Sequence, residues 1–368
     1  MSNARKLADN LPTDGQLGNR NLIINGAQNV HQRGNQTGKT ASVYGTDRFE
    51  AIISGRSELV YNLAQNTDVP SGYGFAHSLS FQTTTPESSI GAAEYYFISQ
   101  KIEAQNLQHL AYGTSGAKKL TASFWVKSSV TGTFCLGLFK DDSAGSLEYQ
   151  VHNKTYTISA ANTWEHKTIT FEANTLTGGS IADDNGIGLY LSWHLAAGSN
   201  YDSVSTSSGW ANYTTTNWCE PSTTDAVITT TNATFLLTGV QLEVGPQATP
   251  FEHESYDVTL EKCQRYYQKS GDGRTYGVVF NQHTATNAYS CMRWWKPMRV
   301  APTISGMTLS HYSIYNTGTS RSFSAIGISQ LSENSGEFYL TTGSLTSGTA
   351  THLNTYGDLT MWKADAEL

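Results

Sequence analysis

Charge is the first thing this chain lacks. Only 14% of its 368 residues are Asp, Glu, Lys or Arg, and acids outnumber bases to leave a net charge of -7. No Lys/Arg cluster interrupts that balance, which excludes a general nucleic-acid binder, because such proteins need a basic face to displace counterions from phosphates. Cysteine is scarce too. Cys135, Cys219, Cys263 and Cys291 lie far apart with no CxxC pair, so neither a disulfide framework nor a cysteine metal site is expected, and the four read as free, mostly buried thiols. No run of about 18 apolar residues occurs, which argues against a membrane-inserted helix. Residues 1–20 carry Arg5, Lys6, Asp9, Asp14 and Arg20 without a following apolar stretch, so they do not read as a secretory signal. G-x-S-x-G, H-E-x-x-H and Walker-type loops are missing, and the ten histidines show no ligand spacing. No cofactor is expected.

What the chain has in quantity is turn and strand material. Ser, Thr, Asn and Gly make up its polar bulk, and 20 of its aromatics are Tyr. Ser, Asn and Gly favour turns, whereas Thr and Tyr favour strands. Period-2 alternation begins at Leu22 and Ile24 and returns at Phe49, Ala51 and Ile53. It recurs at Leu79 and Phe81, at Leu120 to Val126, at Phe134 to Leu138, at Ile187 to Leu191 and at Leu236 to Val244. Such strands have one dry face and one wet face, and many in series predict a two-sheet sandwich. The fold class expected is all-β: a jelly-roll β-sandwich, a short linker helix and a second, smaller β domain.

The expected boundaries follow. Residues 1–20 form an arm that orders by docking on another protein, and residues 21–250 form the sandwich. Residues 251–273 hold a helix from Val258 to about Lys269, with Leu260, Cys263 and Tyr267 at helical spacing and Gly271 as its stop. Residues 274–368 form the second β domain, closing with the strand LTMWKADAEL.

The longest irregular stretch, His194 to Asp225, is polar yet contains Tyr201, Trp210, Tyr213 and Trp218. A loop of this length in a compact domain is usually functional or disordered, and the aromatics argue for order. Sugar rings stack apolar C–H faces on Trp and Tyr while amides bind their hydroxyls. Tyr201, Trp210, Tyr213 and Trp218, with Asn212 beside them, are therefore candidates for glycan contact. The alternative is that they pin the loop to the sandwich. Trp193 reads as core. Trp294 and Trp295 form a second candidate; neighbours in a strand face opposite sides, so one of the two is expected to be exposed, for a ligand or for a neighbouring subunit.

Catalysis on a glycan needs two carboxylates across a groove. Asp141–Asp142 and Asp183–Asp184 sit at turns, and Glu165, Glu172 and Glu243 sit in strands, but nothing singles out a pair. No enzyme is expected. Asp141, Asp142 and Asp183 are candidate Ca²⁺ ligands, with exposed turn acids as the plainer reading.

Three phrases resemble tail-fibre and related virion proteins of tailed phages, marine ones especially. They are GNRNLIINGAQNVHQRG (18–34) with TDRFE (46–50), FLLTGVQLEVGPQATPFEHESYDVTLEKCQRYYQKS (235–270) and MWKADAEL (361–368). The sandwich also resembles carbohydrate-binding-module jelly rolls, through LTASFWVKSS and LLTGVQLEVG. The resemblance implies a non-enzymatic virion component, assembled in a host cytoplasm. It would be a tail fibre or adhesin binding host surface polysaccharide, held to other virion proteins by its N-terminal arm and forming a homotrimer. A head-surface fibre or adaptor is the alternative, and a depolymerase a further one.

Overall fold

The computed structural model describes residues 19–141, 149–270 and 278–307 and, beyond them, 309, 312–316, 319–321, 324–343, 345, 350–355 and 362–368. The chain divides into two compact units between Thr259 and Leu260. That division falls within a helix, α1, spanning Tyr256–Gln264. The helix is shorter than its periodicity predicted: Tyr267–Lys269 is extended and pairs with Lys363–Asp365.

Unit 1 is a sandwich of two antiparallel sheets. In chain order its strands are β1 (Gln36–Lys39), β2 (Val43–Tyr44), β3 (Glu50–Ser54), β4 (Val60–Asn66), β5 (Ser78–Thr85), β6 (Tyr95–Glu103) and β7 (Leu120–Ser128). Then come β8 (Gly132–Lys140), β9 (Gln150–Ile158), β10 (Glu165–Phe171), β11 (Ile187–Ala197), β12 (Ala211–Asn212) and β13 (Thr234–Val244). One sheet runs β1-β4-β5-β13-β7-β10, the other β12-β9-β8-β11-β6-β3-β2. The chain crosses between the sheets repeatedly, in jelly-roll fashion.

The alternation read from the sequence is the core. Leu120, Ala122, Phe124 and Val126 of β7 face inward, as do Phe134, Leu136 and Leu138 of β8 and Leu189, Leu191, Trp193 and Leu195 of β11. Trp193 meets Phe124 edge-on at 5.6 Å. Burying one such ring contributes up to roughly 4–6 kcal/mol at the usual area coefficient. Gly239 sits at a bulge in β13 with φ +60°. A Cβ there would stand 2.6 Å from Phe75, so only glycine fits.

One expected strand is absent. Residues 21–30 form turns rather than a ladder. The reason lies in two asparagines. Asn21 donates to Val240 O (2.9 Å) and accepts from Ile23 and Leu242 N–H (3.0 Å each). Asn25 donates to Val30 O (2.9 Å) and Asp47 O (3.0 Å). Side chains that satisfy the backbone locally compete with strand pairing.

Unit 2 adds β14 (Tyr267–Lys269), β15 (Val278–Gln282), β16 (Asn287–Arg293), β17 (Thr303–Ser305), β18 (Tyr312–Asn316), β19 (Thr319–Arg321), β20 (Ala325–Ser329), β21 (Ser335–Thr341), β22 (Ala350–Thr355) and β23 (Lys363–Asp365). They form a three-stranded sheet, β14-β23-β17, and a seven-stranded one, β19-β18-β22-β15-β16-β21-β20. Phe280, Phe338, Leu340, Trp294 and Met298 are among its core residues. Of the expected closing strand, Lys363–Asp365 is present and residues 356–361 lie outside the described residues.

Candidate functional site

The outer face of the seven-stranded sheet in unit 1 carries an aromatic surface. Register places Lys101 of β6, Tyr190 of β11 and Phe139 of β8 in one row, and Phe97, His194 and Cys135 in another. Tyr95 ends the β6 series. These outward positions are the complement of the core alternation, because successive strand residues face opposite ways.

The loop after β11 folds back over this face. Its path starts at Gly198, whose Cβ, if it had one, would lie 2.0 Å from Gly91 O. Asp202 bridges to Asn217. Glu220 Oε1 accepts from Thr206 N–H at 2.7 Å, and Asn153 Nδ2 donates to Asn217 O at 3.0 Å. The strand β12 then adds itself to the sheet edge beside β9, and Tyr213 N–H donates to Tyr149 O at 2.7 Å. These backbone and polar bonds hold the stretch against the sheet.

Trp218 is the centre of the result. It lies nearly parallel to Phe139 (5.2 Å, 15°) and to Tyr95 (5.5 Å, 15°), and contacts Phe97 at 5.8 Å. Tyr213 meets it edge-on at 5.1 Å, and Tyr201 at 6.5 Å. Tyr149 packs on Phe139 at 5.7 Å and remains 47% exposed. Trp218, Tyr201, Tyr213 and Tyr190 are all half-buried. The rings are thus fixed by one another while keeping edges or faces open to solvent. Polar groups stand beside them. Asn212 is exposed, its Oδ1 accepting from Gln150 Nε2 at 3.1 Å. Lys101 pairs with Glu50 at 3.0 Å and lies 5.8 Å from the Tyr190 ring centre.

Tyr213 and Tyr190 keep their phenolic protons. Burial, then the neighbouring Tyr201 and Tyr95 phenols, pushes Tyr213 up to about 12. Burial raises Tyr190 further, helped by the Asp141 carboxylate, which also hydrogen-bonds it. Each hydroxyl therefore remains a hydrogen-bond donor across the neutral range.

The residues singled out from the sequence separate here. Tyr201, Tyr213, Trp218 and Asn212 come together. Trp210 does not join them: it is buried, donates from Nε1 to Glu172 O at 2.7 Å, and packs on Tyr112 and His152. In unit 2, Trp294 is buried with Nε1 donating to Ser332 O (2.9 Å), whereas Trp295 is 53% exposed against Trp362. Asp141 faces Tyr190, Asp183 is exposed, and Asp142 lies outside the described residues. Among the described residues no group of three His, Cys, Asp or Glu could hold a metal ion. Cys291 is exposed, unlike the other three thiols.

Sequence reasoning missed Tyr95, Phe97, Phe139, Tyr149 and Tyr190. The signal was available as aromatics at outward positions of adjacent strands, but pairing β6, β11 and β8 needs the topology. The six-stranded sheet has an aromatic group of its own, Tyr73 on Trp125 at 4.3 Å. There the neighbouring polar groups satisfy one another: Lys127 pairs with Asp68 at 2.7 Å, and Trp164 Nε1 donates to Asp68 at 2.9 Å.

The chain matches no protein-family model and no curated protein sequence. Among solved structures it is similar to the enzymatically active domain of tailspike protein 4 of bacteriophage CBA120, at 11% identity and TM-score 0.29, over 61% of this chain and 21% of that one. It is similar to the xylan-binding CBM22-1 domain of Xyn10C from Paenibacillus barcinonensis (12% identity, TM-score 0.31), over 65% of this chain and all of that one. The family 11 carbohydrate-binding module of Clostridium thermocellum, solved with a mixed-linked tetrasaccharide, is a third (11% identity, TM-score 0.26), covering 58% and 100%. The spanned part is about a fifth of the tailspike domain. These likenesses are distant, and the reading of the site stands on its own geometry.

Proposed function

We propose that unit 1 is a non-catalytic carbohydrate-binding domain, and that its ligand lies on the aromatic face built around Trp218. One observation carries this reading. Trp218, Tyr213 and Tyr149 are immobilised by ring contacts yet left partly open, beside the exposed amide of Asn212. Rigid, pre-positioned rings lose little entropy on binding, and their faces match the C–H face of a pyranose. The wider setting is a tail fibre or adhesin of a tailed phage, supported by the resemblance of residues 18–34 and 235–270. In that setting the protein sits on the virion as a homotrimer, joins other virion proteins through residues 1–20 and binds host surface polysaccharide. Several weak sites per particle then give avidity without tight single contacts.

Affinity electrophoresis of the full chain through gels containing bacterial surface polysaccharides tests the reading. Retardation by at least one polysaccharide is expected, with loss in Trp218→Ala and with polysaccharide chain length unchanged after incubation. Equal retardation of wild type and W218A would overturn the site, and shortening of the polysaccharide would overturn the non-catalytic reading.

A further inference from the structure

One stretch of this chain is without a single basic residue. Between Lys167 and Lys262 lie 94 residues that contain eleven Asp and Glu and neither Lys nor Arg. The whole chain has 23 Lys and Arg in 368 residues, so about six would fall there at its own frequency. The stretch supplies β11, the aromatic loop, β12 and β13. It therefore carries Tyr190, Tyr201, Asn212, Tyr213 and Trp218, on which the binding reading rests. Unit 1 as a whole is acidic, with 14 Lys and Arg against 23 Asp and Glu up to residue 259. Unit 2 has nine against seven, so the acidity belongs to the unit that carries the face.

The sheet beneath the loop does not make up the difference. Among the described residues, the outward positions of β6, β11 and β8 hold one lysine and no arginine. That lysine, Lys101, is already engaged: its Nζ donates to Glu50 Oε2 at 3.0 Å and to Leu368 O at 2.7 Å. Arg48 is buried and donates to Lys101 O at 2.6 Å. Lys154 Nζ donates to Ser207 O at 2.5 Å. Arg33 lies over Tyr44, at the far edge of the sheet beyond β3. Acids stand closer to the rings. Asp141 is two residues past Phe139, its N–H donating to Gly188 O at 3.1 Å. Asp202 bridges to Asn217, the neighbour of Trp218.

We infer that the polysaccharide taken by this face is uncharged, and that unit 1 rejects chains bearing carboxylate, sulfate or phosphate groups. The inference rests on the binding reading and names its ligand class. Anionic sugars are recognised by the guanidinium fork of Arg or the ammonium of Lys. On this face an anionic group would come up against Asp141 and Asp202 within the field of an acidic unit. No basic side chain of the loop stands ready to meet it. Stripping water from an unpaired charge is costly, and like-sign fields slow its approach as well. A neutral pyranose meets neither obstacle. Its C–H face fits the rings, and its hydroxyls find uncharged partners in the Asn212 amide and the Tyr213 hydroxyl.

Affinity electrophoresis of the full chain tests the ligand class. One set of gels contains β-glucan, xylan or mannan, and the other contains alginate, pectate or hyaluronan. Each acidic polymer is also offered after carboxyl reduction, which keeps the chain and its linkages and removes the charge. Retardation is expected with uncharged polymer, lost in Trp218→Ala and unchanged from low to physiological salt. Where a reduced polymer binds, its acidic parent is expected to bind at least about tenfold more weakly. An acidic polymer that binds as well as its reduced form, or better, would overturn the inference. If W218A also loses that retardation, the binding reading stands while the ligand class falls. Retardation by no polymer of either kind would overturn both. Should W218A fail to fold, the comparison of parent and reduced polymers on the wild type decides by itself.

Discussion

Trp218 lies on Phe139 with their centroids 5.2 Å apart and their planes 15° apart. One residue comes from a long polar loop and the other from a strand about 80 positions earlier, and the contact makes the loop part of the sheet surface. Parallel stacking of this kind is worth about 0.5–1.5 kcal/mol beyond burial, enough to bias a loop already held by Glu220 and Asn153.

Two tryptophans of the same loop therefore have opposite roles. Trp210→Ala is expected to cost about 3–5 kcal/mol of stability, because it opens a cavity in the core and leaves Glu172 O without its partner. Trp218→Ala is expected to cost less stability and at least about tenfold in saccharide affinity, about 1.4 kcal/mol. Thermal unfolding and affinity electrophoresis of the two variants, run side by side, check the contrast. A W218A protein that loses as much Tm as W210A would contradict it.

Gly198 sets where the loop departs. A Cβ there would meet Gly91 O at 2.0 Å and Ala92 O at 2.6 Å, both backbone atoms that cannot swing away. Gly198 N–H also donates to Glu94 O at 2.8 Å. Gly198→Ala is expected to cost about 1–3 kcal/mol and to weaken saccharide binding by moving Trp218. Circular dichroism melts and the same electrophoretic assay measure both.

Acid stability follows from a buried carboxylate. Glu87 accepts the N–H groups of Ser57, Glu58 and Leu59 and the Tyr96 hydroxyl, at about 3.0 Å each. Burial alone would raise it, but these bonds bring it below the ordinary glutamate value of 4.5. A carboxyl depressed in the folded state contributes stability that is complete above its unfolded value. That contribution is lost as pH falls through the folded one. Wild-type Tm is therefore expected to decline below about pH 4.5. Glu87→Gln should be less stable at neutral pH, on the order of 2 kcal/mol, and show a flatter acid limb. Melting curves from neutral to acid pH would refute this if the two proteins ran parallel.

The adjacent tryptophans of unit 2 offer a simple comparison. Trp294→Ala removes a core ring and its bond to Ser332 O, and is expected to destabilise the unit by about 3–5 kcal/mol. Trp295 is 53% exposed, so Trp295→Ala should change Tm little. The two lie just past the end of β16, so their contrast is one of burial rather than of strand faces; fluorescence-monitored unfolding separates the outcomes, and equal losses would refute that contrast.

The amino-acid order by itself determined that unit 1 is a sandwich. Leu120 to Val126 and Ile187 to Trp193 alternate with a period of two, and one dry face per strand leaves packing of two sheets as the way to bury it. It also grouped Tyr201, Trp210, Tyr213 and Trp218 in one long polar stretch, where that much apolar ring surface gains by packing. Three things were decided only by the tertiary structure. Asn21 and Asn25 turned an apparent strand into turns through bonds to distant backbone. Trp210 went to the core while Trp218, eight positions on, went to the surface, because β12 joined the sheet edge between them. Phe97, Phe139 and Cys135 became the floor beneath the loop only when β6, β11 and β8 paired in register. Local pattern fixes which face of a strand is dry; which residues meet across that face is set by pairing between segments distant in the chain, and no local period encodes it.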